Sequence, residues 1–127
     1  MPAIDVIEEL FFAAPPAAVA GHFADPAEWS RQWPGLRLTT AADRGAEGVR
    51  WQVGGALRGS MEVWLEPVLD GTVLHYFLRA DPARPRSGRW VTAEQRRRRL
   101  AAREVAFAVK ARVEAGREPG SPPARTS

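Results

Sequence analysis

The sequence contains no cysteine, and only one lysine and one tyrosine in 127 residues. Without cysteine there are no disulfides and no thiolate-ligated metal, and the chain suits a reducing compartment. No apolar run approaches the roughly 20 residues that cross a bilayer, so no membrane span is expected. The opening MPAIDVIEEL is acidic where a secretory signal would be basic; no export signal is read, and a cytoplasmic protein is expected. Histidine is scarce as well. His22 and His75 lie far apart in sequence, which argues against a His-based metal site. Ser30, Ser60 and Ser87 lack the context of a hydrolase nucleophile, and the glycines follow no phosphate-binding pattern. No metal and no cofactor are expected.

What is present is a small globular composition. Hydrophobic residues make up 45%, and five tryptophans supply large blocks of area to bury. One domain over residues 1–116 is expected, followed by a polar, proline-rich tail over 117–127 that should be disordered. The positive charge is almost wholly arginine, as a GC-rich coding sequence produces, and nine arginines fall between Arg84 and Arg112. On charge patterning alone these are a solvated helix face and loop.

Ala3 to Ala13 reads as a strand, with Ile4, Val6, Leu10 and Phe12 on one side and Ala3, Ile7 and Phe11 on the other. Pro15-Pro16 ends it and starts a short helix over Ala17 to Ala24. Asp25 caps a second helix with Pro26 at its first position, and Pro34-Gly35 stops it. Trp29 and Trp33, one helical turn apart, are expected to stack on each other. Strands are then expected over Leu36 to Ala41, around Val49, Trp51 and Val53, and from Leu57 to Glu66 after a reversal at Gly54-Gly55.

Asp70-Gly71 is a two-residue hairpin signal. If those two residues form the turn, Glu62–Arg79, Trp64–Phe77 and Glu66–His75 pair on one face. Met61, Val63, Leu65, Leu74, Tyr76 and Leu78 then line the other. A register shift of two would change the partners but not the faces. Beyond a Pro/Arg loop, Thr92 and Gln95 fit a capping box for a helix that runs to Ala115, with Gly116 as its stop. Leu100, Ala101, Val105, Phe107, Ala108, Val109 and Val113 cover so much of its circumference that it should be gripped from more than one side.

Order and residues together resemble the SRPBCC superfamily of START-like helix-grip proteins, and within it the small bacterial polyketide cyclase/dehydrase group. The resemblance rests first on Ala14, Pro15, Val19, Phe23, Asp25, Trp29, Trp33, Pro34 and Gly35. It continues through Gly48-Val49-Arg50-Trp51, then Leu65-Glu66-Pro67 with Asp70-Gly71-Thr72 and Leu74, and the long last helix. It spans residues 3 to 116 and implies an α+β fold, a curved antiparallel sheet around a C-terminal helix. The family's sheet usually has seven strands; about five are legible here, as though a central hairpin were missing. The pocket would then be open at one end, narrowed, or completed by a second subunit.

The resemblance implies that an apolar small molecule, such as a lipid or polyketide, is held between sheet and last helix. Trp51, Met61, Val63, Leu65, Tyr76 and Leu78 would face it from strands, Val105 and Phe107 from the helix, and Trp33 from near the mouth. Cyclase-like catalysis is the alternative, with Glu66, His75 and Tyr76 as candidate proton-transfer groups beside Glu62 and Arg79. All but Tyr76 of these lie on the face opposite the apolar one. A third reading is a homodimer that buries Trp64 and Phe77 on the outer face. Arg96 to Arg99 oppose the helix macrodipole, so Glu94, an acidic partner or an anionic ligand should compensate them. No nucleic-acid motif accompanies them, and no nucleic-acid partner is expected.

Overall fold

A computed structural model describes residues 1–115. The tail expected over 117–127, and the stop at Gly116, lie outside the described residues. Strand β1 (Ile4–Phe12) leads into helix α1 (Pro16–Ala20), a 3-10 turn (Gly21–Phe23) and helix α2 (Pro26–Gln32). Four strands follow, β2 (Leu36–Asp43), β3 (Gly48–Gly55), β4 (Leu57–Val68) and β5 (Gly71–Pro82), and then helix α3 (Gly88–Val113). The sheet is antiparallel with order β1-β5-β4-β3-β2, so the first strand closes against the last. Five strands, two short helices and a long last helix match the expected architecture.

Alternation places Ile4, Val6 and Phe12 of β1, Met61, Val63 and Leu65 of β4, and Leu74, Tyr76 and Leu78 of β5 on one buried face. The hairpin register is displaced by two from the one drawn on an Asp70-Gly71 turn. Val68 pairs with Gly71, so the turn residues are Leu69 and Asp70, and Trp64 faces His75 while Glu62 faces Phe77. Leu69 takes the positive φ of 50°. Gly71 is glycine for another reason: a Cβ there would stand 2.3 Å from the Phe12 carbonyl oxygen and 2.6 Å from the Phe11 ring. It lets β1 approach β5 closely. The two faces are unchanged, as the period of two requires.

Helix α3 begins four residues before the Thr92 cap drawn from sequence. Ser87 is the N-cap, accepting from the Trp90 amide at 3.1 Å. Gln95 does different work. It accepts from the Asp5 amide at 2.9 Å and donates to the Asp5 carbonyl at 2.6 Å. Lys110 donates to the Phe11 carbonyl at 2.7 Å, and Glu114 accepts from the Ala13 amide at 2.6 Å. Side chains of α3 thus satisfy outward backbone groups of β1, which protects that sheet edge and fixes the helix along it.

The helix is not gripped all round. Its buried stripe is Glu94, Arg98, Ala102, Ala106, Val109 and Val113, while Leu100 and Phe107 are exposed. Ala102 and Ala106 at the middle of the stripe let the helix lie close to β1. The apolar residues counted around its circumference include three that are exposed, Leu100, Phe107 and Ala108.

Candidate functional site

The connector between β1 and β2 sets the interior. Asp25 accepts from the Ala27 amide at 2.9 Å and starts α2; the helix then ends at Gln32, leaving Trp33 as its C-cap. Trp29 and Trp33 do not stack on each other. Trp29 meets Trp51 edge-on at 5.6 Å, and Trp33 lies parallel to Tyr76 at 5.2 Å. Trp33 is 2% exposed, so it plugs the inner face and does not stand at a mouth. With Trp51, Met61, Val63, Leu65 and Leu78 it belongs to one continuous core.

Tyr76 is buried beneath this plug, and its hydroxyl donates to the Met61 sulfur at 3.1 Å. Burial pushes the phenol pKa far above its ordinary value, against the opposing pull of the Arg98 charge. It therefore stays protonated at any physiological pH. Arg98 is itself buried. Its guanidinium reaches Glu94 at 3.1 and 3.2 Å and donates to the Pro34 carbonyl at 2.7 Å, tying α3 to the end of the connector. Glu94 also receives Arg97 at 3.0 Å, and Glu8 receives Arg103 at 3.1 Å. Carboxylates of this chain therefore compensate part of the arginine run.

Two spaces flank α3. One, of about 150 Å³, lies between β1, β5 and the helix, and is lined by Leu10, Leu74, Tyr76, Ala102, Ala106 and Phe107 with Glu8 and Arg103 at its rim. A space of that size accepts a single ring. The other is a groove of about 510 Å³ between the connector and the other flank of α3. Ala101, Val105, Ala108 and Val109 form its apolar floor, and His22, Gln32 and Arg112 stand around it. The Gln32 amide oxygen is buried without a hydrogen-bond partner among the described residues. Burial, with the Arg112 guanidinium nearby, holds the His22 imidazole below its ordinary value.

The candidate residues are therefore divided. Tyr76 and Phe107 border the smaller space, and Val105 lines the larger. Glu66 and His75 are 3.0 Å apart on the outer face of the sheet, where Glu9 meets the other imidazole nitrogen at 2.9 Å and Trp64 stacks on the ring at 4.4 Å. Sequence reasoning passed over Glu8, whose inward position follows from its parity with Val6 and Leu10. It also took His22 only as evidence against a His-based metal site.

No protein-family profile matches the sequence, and no curated protein aligns with it significantly. Solved structures do share its fold. The Aha1 dimer from Colwellia psychrerythraea superposes with a TM-score of 0.65 at 10% identity, over 91% of this chain and 99% of that one. A polyketide cyclase-like protein from Corynebacterium glutamicum gives 0.60 at 19% identity, over 95% and 98%. The di-domain ARO/CYC StfQ of steffimycin biosynthesis gives 0.62 at 13%, over 85% of this chain and 50% of that one. At these identities the likeness is one of fold. The chain is a helix-grip domain, of the architecture found in polyketide cyclase-like and Aha1 structures, built on a five-stranded sheet.

Proposed function

We propose that this domain binds a small amphipathic molecule in the groove between the connector and α3. The supporting observation is size: about 510 Å³ lies in the range of ligand pockets, whereas the sheet–helix space of about 150 Å³ is below it. The apolar body of the ligand rests on Ala101, Val105, Ala108 and Val109, and its polar end meets His22, Gln32 and Arg112. The polyketide cyclase-like neighbours are consistent with such a role, and binding here needs no catalysis. Native mass spectrometry of the purified protein, then calorimetric titration with laurate, a sterol and an aromatic polyketide, tests the proposal. Binding of one of them, weakened at least about ten-fold by Val105→Trp in a variant of unchanged circular dichroism, is the expected result. No binding by any of the three, or binding indifferent to Val105→Trp, overturns it.

A second reading has its own observation. Ile7, Phe11 and Trp64 are 55%, 41% and 39% exposed, and the first two share a strand on the outer face. A homodimer that packs these faces together would cover them, and one neighbour of the same fold is described as a dimer. Light scattering on the chain and on Trp64→Glu tests this. A dimer that the substitution dissociates supports it, and a monomeric parent chain contradicts it.

A further inference from the structure

The outward face of α3 carries charge that the fold uses only in part. Arg84, Arg86, Arg89, Arg96, Arg97, Arg99 and Arg103 crowd the exposed side of the helix and the loop before it, while Arg98 turns inward. Glu94 receives Arg97 and Arg98, and Glu8 is shared by Arg103 at 3.1 Å and Arg99 at 3.8 Å. Among the described residues, Arg84, Arg89 and Arg96 have no carboxylate within ion-pair distance, and Arg86 rests over the Trp90 ring at 4.8 Å. Arg89 lies in the first turn of α3, where positive charge opposes the helix macrodipole; Arg96, more than two turns in, is beyond its reach, so the compensation expected from sequence is not required there.

The same face carries apolar side chains. Arg89, Arg96, Leu100, Arg103 and Phe107 follow one another at intervals of seven, four, three and four, which places them along one line of the helix. All five are exposed, and Leu100 and Phe107 are 52% and 57% exposed. Arg89, Arg96 and Leu100 stand away from the buried stripe through Ala102 and Ala106, while Arg103 and Phe107 stand at its edge beside the smaller space.

We propose that this stripe is a contact surface for an anionic lipid bilayer, with α3 lying flat on the membrane. Arginines engage lipid phosphates and carboxylates while their stems lie along the interface. Leu100 and Phe107 enter the boundary between headgroups and acyl chains, as the apolar face of an interfacial helix does. A nucleic acid would answer the arginines and leave both apolar side chains in water; the bilayer answers both. Contact is peripheral and reversible, because two apolar side chains anchor weakly and no helix among the described residues is long and apolar enough to cross a membrane. The inference does not depend on whether either space beside α3 holds a ligand.

Co-sedimentation of the full chain with phosphatidylcholine vesicles, with and without phosphatidylserine, tests it. The expected result is binding only where phosphatidylserine is present. The double variant Arg89→Glu/Arg96→Glu should lower the partition coefficient at least about ten-fold. Leu100→Ser/Phe107→Ser should lower it several-fold while leaving circular dichroism and thermal unfolding nearly unchanged, since both positions are exposed. Duplex DNA and poly-glutamate serve as competing anions. No binding to phosphatidylserine vesicles overturns the proposal. So does binding that Leu100→Ser/Phe107→Ser leaves intact while DNA or poly-glutamate binds as tightly, which would assign the arginines to another polyanion.

Discussion

His75 and Tyr76 are consecutive residues of β5, and each lies in an aromatic stack, yet the stacks serve opposite ends. On the inner face Tyr76 is pressed against Trp33, with a sulfur atom as its hydroxyl's acceptor. On the outer face His75 is pressed against Trp64, with Glu9 and Glu66 on its two nitrogens. The inner stack is shielded from solvent and fills the inner face of the sheet, with Trp33 and Tyr76 only 2% and 3% exposed. The outer stack is polar and partly open to water, where paired charges contribute little to stability. Ring stacking by itself therefore says nothing of role; what surrounds the ring decides it. The larger open space, of about 510 Å³, lies beside α3.

The largest effect should come from opening the inner stack. Tyr76→Ala or Trp33→Ala should destabilise the fold by about 3–5 kcal/mol, read from denaturant unfolding. Next comes the ion pair beside it: Glu94→Ala leaves the Arg98 guanidinium buried with only the Pro34 carbonyl, at a cost of about 3 kcal/mol. The outer stack should respond far less, and His75→Gln should cost less than about 1 kcal/mol. An outer-face loss as large as the inner one would break the comparison. Tyr76→Phe keeps the stack and removes the hydroxyl, so it should cost only about 0.5–1 kcal/mol.

A pH effect sharpens the contrast between the groove and the outer face. His22 has a folded pKa below its ordinary 6.5, so the unfolded chain binds the proton more readily. Its contribution is complete above the unfolded value and is lost as pH falls through 6.5 toward the folded pKa. Thermal unfolding followed across this window should show a falling Tm on acidification, with a shallower slope in His22→Asn.

Much of this was legible in the sequence because it depends on parity and local punctuation. Alternation assigned the two faces of β4 and β5 correctly even with the register displaced, and Asp25-Pro26 marked the start of α2. Legibility failed where one residue serves a distant element. Gly71 resembles a turn residue, but its missing Cβ makes room for Phe11 and Phe12 of β1. Gln95 resembles half of a capping box, but its amide clamps the β1 backbone. Arg98 was hidden in a run of four arginines, although such a run visits every face of a helix and Glu94 lies one turn before it. The fate of Trp33 was the least local of these. How far it enters the interior depends on the separation of connector and sheet, which no short segment encodes.

Trp33 and Tyr76 close the inner face, and the proposed ligand lies outside it along α3. The most direct test is a laurate titration followed by amide and indole resonances in one proton–nitrogen spectrum. The account predicts that the amides of Val105, Ala108 and Val109 shift while the Trp33 and Trp51 indole signals stay in place. Movement of the Trp33 indole with the groove amides unmoved would contradict it, because the ligand would then have displaced the plug and entered between sheet and helix.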